Sequence, residues 1–185
     1  PALYALGMSY YEGKGMPKDR RKAAELLTRA AKLGSAMAQN NLGLMYDQGI
    51  GVPQDKGKAA DWYEEAADQG VVEAQFNLAQ MYYAGEGIRQ NRRKAARLFE
   101  QAANQGYAKA MSRLGDMYLT GDGVEQDVDR VFVLTHVVVQ LVGNVPAEHG
   151  AGNGAAALEH GGHLFAAEVL ASAHAVDVGD RKAHK

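Results

Sequence analysis

Leu6 and Tyr10, Leu42 and Tyr46, Leu78 and Tyr82, and Leu114 and Tyr118 are each four residues apart, and each leucine follows an alanine (Ala2, Ala38, Ala74, Ala110) by four. That spacing puts all three side chains on one face of a helix. Gly7, Gly43, Ala79 and Gly115 come directly after the leucines. Glycine inside a helix costs roughly 0.5–1 kcal/mol relative to alanine, so its recurrence predicts a second helix approaching closely there. That second helix is written as "KAAELLTRAAKLG", "KAADWYEEAADQG" and "KAARLFEQAANQG". Alanine pairs flank the bulky pairs Leu26-Leu27, Trp62-Tyr63 and Leu98-Phe99, a small–large–small pattern that lets antiparallel helices nest.

The punctuation between these segments is equally regular. Gly13 and Gly15, Gly49 and Gly51, Gly85 and Gly87, and Gly121 and Gly123 close the first helices, the leading glycine being suited to a left-handed C′ position. Asp19, Asp55, Asn91 and Asp127 follow as N-caps, each worth about 1 kcal/mol. Gly34, Gly70 and Gly106 then turn the chain, 36 residues apart. A period of that length marks stacked supersecondary units, each packing on its neighbours. The predicted divisions are 1–35, 36–71, 72–107 and 108–143, with 144–185 as a glycine-rich loop, capping helix and tail.

These motifs closely resemble Sel-one-like repeats, relatives of the tetratricopeptide repeat, over residues 1 to about 130. The resemblance implies an all-α fold, a right-handed superhelix of antiparallel helix pairs, and scaffold or adaptor work through protein binding. It also implies that the first helix of each pair lines a concave groove, at positions two before, two after and five after the leucine. Those residues are Tyr4, Met8 and Tyr11; Asn40, Leu44 and Asp47; Phe76, Gln80 and Tyr83; and Ser112, Asp116 and Leu119. They vary between units while the packing positions do not. Asn41, Asn77 and Arg113 precede the leucines, and an Asn side chain can both donate and accept, as an extended main chain requires. Tyr4, Tyr11, Phe76 and Tyr83 are candidate aromatic anchors.

From Val128 the period fades. "VFVLTHVVVQLV" alone favours a strand by propensity. The repeat register instead puts Arg130 at the lysine position, Leu134 at the aromatic position and Val138-Val139 at the alanine pair, predicting a helix over 128–142. "LFAAEVLASAHAV" from Leu164 has a helical apolar face and resembles the capping helix that ends such arrays. All six histidines lie between His136 and His184, while Lys and Arg nearly vanish until Arg181. A divergent cap accounts for this shift, and so does a displaced reading frame that leaves a poorly packed tail.

Composition excludes several classes. A net charge of −2 gives no general attraction to nucleic acid, and no apolar run is long enough to insert in a membrane. With no cysteine, disulfides and thiolate zinc sites are absent. A start at Pro1, without methionine or a signal-like segment, is expected of a processed product. The soluble chain then fits either cytoplasm or, with a signal removed, periplasm or secretion.

Chemistry finds little support. His149, His160, His163 and His174 could ligate zinc or nickel, but they lack acidic or thiol company and read as scattered surface histidines. "GAGNGAA" from Gly150 imitates a phosphate loop without the strand and helix that motif needs. Ser9, Ser35, Ser112 and Ser172 lack the context of an activated serine, which weakens the β-lactam or cell-wall hydrolase reading that family analogy suggests. Arg20-Arg21-Lys22, Lys56, Lys58 and Arg92-Arg93-Lys94 would align as a basic ridge, read as a solvated edge rather than a site for an acidic partner. The expectation is therefore a cofactor-free, non-enzymatic solenoid that holds a peptide or protein segment, with a spacer whose groove stays empty as the rival.

Overall fold

In the computed structural model residues 2–143 are described, and every regular element among them is an α-helix. They are α1 (Ala2–Glu12), α2 (Arg20–Lys32), α3 (Ala36–Gln48), α4 (Lys56–Asp68), α5 (Val72–Ala84), α6 (Arg92–Asn104), α7 (Ala108–Thr120) and α8 (Val128–Gly143). The glycine-rich stretch, the helix expected from Leu164, and the histidines after His136 lie outside the described residues.

The chain divides after Ala95 into two compact units. In the first, α1 packs on α2, α2 on α3, α3 on α4 and α4 on α5, and α6 begins at its end. In the second, α7 packs on α8. The paired helices run antiparallel.

Local chemistry explains where each helix starts and stops. Asp19, Asp55, Asn91 and Asp127 each accept a hydrogen bond from the main-chain N–H three residues on, at 2.9–3.0 Å. Each capping residue also donates its own N–H to the carbonyl of Tyr10, Tyr46, Tyr82 or Tyr118, which sets the angle between paired helices. The first helices end on left-handed glycines, as at Gly49 with φ 68°. A further cap was not foreseen. Gln54, Gln90 and Gln126 reach back seven residues to the carbonyls of Asp47, Tyr83 and Leu119 at 2.7–2.8 Å, satisfying orphan acceptors at the helix ends.

The expected close approach holds at Gly43. A Cβ there would come within 2.6 Å of the Tyr63 ring, which is itself fully buried. Gly7 faces Leu27 in the same way, at 3.0 Å. Gly115 departs from the expectation, because a Cβ there would meet nothing within 4 Å among the described residues. The residue one period after Leu27, Tyr63 and Phe99 is Thr135, which is exposed and bonds back to the Val131 carbonyl at 2.9 Å. Among the described residues no large side chain fills the space the glycine leaves.

Residues 128–143 are helical despite their valines. The Asp127 cap starts the helix, and Leu134 and Val137 bury on one face at helical spacing, so tertiary contact overrides β propensity.

These two glycines give opposite expectations for one substitution. Gly43→Ala should destabilise by about 1–3 kcal/mol, since the Tyr63 ring has to move within a packed core. Gly115→Ala should stabilise by roughly 0.5–1 kcal/mol through helix propensity alone. Urea unfolding of both variants beside the parent checks the pair.

Candidate functional site

On α3, α5 and α7 the alanine, leucine and small residue are buried on one face and another face carries the variable positions, while on α1 Ala2 and Leu6 are exposed and only Gly7 is buried. On α1 and α3, Tyr4, Met8, Tyr11, Asn40, Leu44 and Asp47 are half-buried, as are Gln80 and Tyr83 on α5. Tyr4, Met8 and Tyr11 pack against the core formed by α2 and α3. In the second unit Ser112, Arg113 and Asp116 are exposed, and Leu119 keeps 51% of its surface.

One expected anchor is misplaced. Phe76 is only 8% exposed and belongs to the core. The periodic count puts it beside Tyr4 and Asn40, but an aromatic ring at that position folds inward and leaves little for a ligand to touch.

The asparagines are also committed internally. Asn41 Nδ2 lies 3.2 Å from both the Tyr4 hydroxyl and Met8 Sδ, tying α3 to α1. The Asn77 side chain donates to the Tyr63 hydroxyl in the same way. Burial, and then the nearby Asp47 carboxylate, push the Tyr63 hydroxyl far above its ordinary pKa, so it stays protonated. These amides therefore brace neighbouring helices, where the sequence suggested a clamp on an extended main chain. Asn40 Oδ1 differs: it is buried and has no hydrogen-bond partner among the described residues.

Asp47 is likewise engaged. Its Oδ1 lies 3.0 Å from Lys56 Nζ, which reaches Glu86 Oε2 at 2.5 Å. The two carboxylates, Glu86 foremost, hold the Lys56 ammonium above the usual lysine range.

The basic ridge proves to be two structures. Its last member in each unit lies over the tyrosine in the last turn of the first helix: Lys22 on Tyr10 at 4.5 Å, Lys58 on Tyr46 at 5.6 Å, Lys94 on Tyr82 at 4.4 Å and Arg130 on Tyr118 at 5.1 Å. Such a cation over a ring contributes about 0.5–1 kcal/mol at exposed sites. Lys94 also donates to the Tyr82 hydroxyl at 2.6 Å and meets Glu64 of the preceding pair at 2.8 Å. Arg130 donates to the Tyr118 hydroxyl and lies 3.9 Å from Glu100. Arg21, by contrast, is 88% exposed at the side chain. Sequence spacing did hold this signal, because the cation follows the tyrosine by twelve residues in every unit.

Buried Gln39 and Gln75 were missed altogether. Gln39 Nε2 donates to the Ala31 carbonyl at 3.3 Å and to Glu65 Oε2 at 2.7 Å, and its Oε1 accepts from Gln69 Nε2 at 2.5 Å. Gln75 Nε2 donates to the Ala67 carbonyl at 3.4 Å. Both stand directly after the buried alanine, an Ala-Gln pair shared by two units.

Four consecutive matches to the Sel1 repeat model cover residues 1–35, 36–71, 72–107 and 108–130. The chain belongs to the Sel1 repeat family. Its likeness to a crystallised Sel1 repeat protein from Oxalobacter formigenes is 30% identity with a TM-score of 0.73, over 75% of this chain and 57% of that one. The chain thus spans little more than half the length of that relative. A protective antigen from uropathogenic Escherichia coli strains, displaying an SLR fold, is also 30% identical, with a TM-score of 0.47 over 76% of this chain and 38% of its own. An immunity protein from Pseudomonas aeruginosa matches at 21% identity and TM-score 0.40, over 75% of this chain and 64% of that one. No curated protein matches the chain. The fourth Sel1 match ends at Arg130, the last residue of the cap-and-cation motif. Among the described residues no helix is long and apolar enough to cross a membrane, and no cluster of three or more His, Asp or Glu could hold a metal ion.

Burial separates the candidate residues by their expected response to truncation. Phe76→Ala should cost about 3 kcal/mol or more, as for other buried phenylalanines, while Tyr11→Ala should cost about 1 kcal/mol or less. Denaturant midpoints of the two variants measure the difference.

Proposed function

We propose that this Sel1 repeat protein is a non-enzymatic adaptor that binds a segment of another protein on the face carried by α1, α3 and α5. One observation supports the reading above the others. On α3 and α5 the alanine, leucine and small-residue positions repeat and are buried, whereas Tyr4, Met8, Tyr11, Leu44, Gln80 and Tyr83 stand at positions that differ between units and keep part of their surface in solvent. A frame that holds constant while its lining varies suits recognition, and half-buried aromatic and thioether groups supply contact area at low entropic cost.

The chemistry of the face favours side-chain docking over capture of an extended main chain. Asn41 and Asn77 spend donors inside the fold, and Asp47 is neutralised by Lys56. What is left for a partner is chiefly aromatic and apolar. The apolar side of a helix or loop fits such a surface.

Replacing Tyr11 and Tyr83 together by alanine should cut partner affinity at least about tenfold. The melting temperature should fall by only a few degrees, roughly 5 °C or less. Affinity capture from native lysate with parent and double variant, followed by titration of the captured protein, provides the measurement. Equal capture by both would support the spacer reading instead. A covalent adduct with a β-lactam or serine probe would support the hydrolase reading.

A further inference from the structure

The last turns of α1, α3 and α5 carry the third variable position of each helix: Tyr11, Asp47 and Tyr83, all half-buried. A helix C-terminus bears partial negative charge, which favours a nearby cation. None of these three last turns contains a basic residue, whereas α2 ends with Arg29 and Lys32. Over their whole length α1, α3 and α5 carry Glu12, Asp47 and Glu73 and no Lys, Arg or His. Every Lys and Arg of the first unit stands on a second helix or a loop.

In two of its three pairs the second helix sends its first residue to meet that third position. Lys56 Nζ lies 3.0 Å from Asp47 Oδ1 and 2.5 Å from Glu86 Oε2. The Arg92 guanidinium lies over the Tyr83 ring, 5.4 Å from its centre. The counterpart for Tyr11 is Arg20, one period before Lys56. Arg20 is exposed, and among the described residues no cation lies over the Tyr11 ring. In both occupied cases the cation belongs to the same pair as the residue it meets. The open ring at Tyr11 therefore does not depend on what lies before α1. Its neighbours are already engaged: Tyr10 is covered by Lys22, and Glu12 holds Lys14 at 2.6 Å.

We propose that the segment bound on α1, α3 and α5 carries an arginine beside its apolar side, and that this arginine lies over the Tyr11 ring. The proposal rests on the adaptor reading above and adds the chemistry of the partner. A planar guanidinium stacks on an aromatic face and is weakly hydrated, so it suits a half-buried ring better than an ammonium does. Arg92 on Tyr83 is the same contact made within the fold. A face whose helices bear carboxylates and no cation also steers a basic segment toward it and repels an acidic one.

Phage-displayed random short peptides, selected on the immobilised 185-residue chain, test this. Enriched peptides should hold an arginine next to apolar residues, and a Tyr11→Leu bait should not enrich them. An enriched peptide, made with citrulline in place of that arginine, should bind about threefold to tenfold more weakly in a fluorescence-anisotropy titration. Tyr11→Leu should weaken the arginine peptide by a similar factor and leave the citrulline peptide unchanged, while Tyr11→Phe should keep the preference. Circular dichroism should be the same for all three proteins. Apolar peptides enriched without arginine, or equal binding of the arginine and citrulline forms, overturn the proposal and leave the adaptor reading standing. No enrichment on the parent overturns both. Self-association of the chain that Tyr11→Leu removes also overturns it, placing a second copy on the ring.

Discussion

The pairing of a bulky side chain on one helix with a missing side chain on the other sets the geometry of the hairpins. Tyr63 lies where Gly43 has no Cβ, and Leu27 where Gly7 has none. Each contact brings two antiparallel helices closer than ordinary side chains would allow, and the alanine pairs on either side extend that closeness along the helix. The same economy of volume governs the loops. A Cβ at Gly51 would lie 2.3 Å from the Arg20 carbonyl oxygen, and one at Gly87 2.5 Å from Lys56, so each loop rests directly on the start of the previous second helix. Repeats of equal length follow, because any inserted residue would lift both contacts at once.

Polar groups do the work that the thin core cannot. A core of alanines buries little area per residue, and hydrophobic stabilisation scales with area. The structure compensates with a periodic set of bonds: the Asp or Asn cap, the tyrosine carbonyl that receives its N–H, and the cation lying over the same tyrosine ring. Lys94 and Arg130 extend that set to Glu64 and Glu100 on the preceding second helix. Each such pair is worth little alone, since exposed ion pairs contribute about 0–1 kcal/mol. Their value lies in repetition in register, which disfavours any slip of one pair against the next.

This bracing shapes the variable face. Asn41, Asn77 and Asp47 occupy positions from which a partner could be read, but each is held by a neighbour within the fold. Much of the polar potential of α3 and α5 is therefore spent on rigidity. The face left over is built from side chains such as Tyr11, Leu44 and Tyr83, whose bodies pack on the frame while their outer edges stay wet. A rigid face of this kind binds with little ordering cost.

Among the described residues the helices, caps and turns were legible in the sequence, because each depends on local geometry that a glycine, an aspartate or an i, i+4 pair specifies within a few positions. Even α8 could be placed by register against its own β propensity. Which side chains face a partner was a different matter. Phe76 and Tyr83 both sit at variable positions of the repeat, yet one is buried and the other half-exposed; Asn40 and Asn41 are adjacent, yet the Oδ1 of one has no partner among the described residues and the other bonds across to α1. Gly115 repeats the motif of Gly43, but a Cβ there would meet no atom of the described residues within 4 Å, and its counterpart across the pair is Thr135. Periodicity assigns a residue to a face of its own helix. What that face meets depends on the size and bonding of residues 20 to 40 positions away, and only the packed structure brings those together.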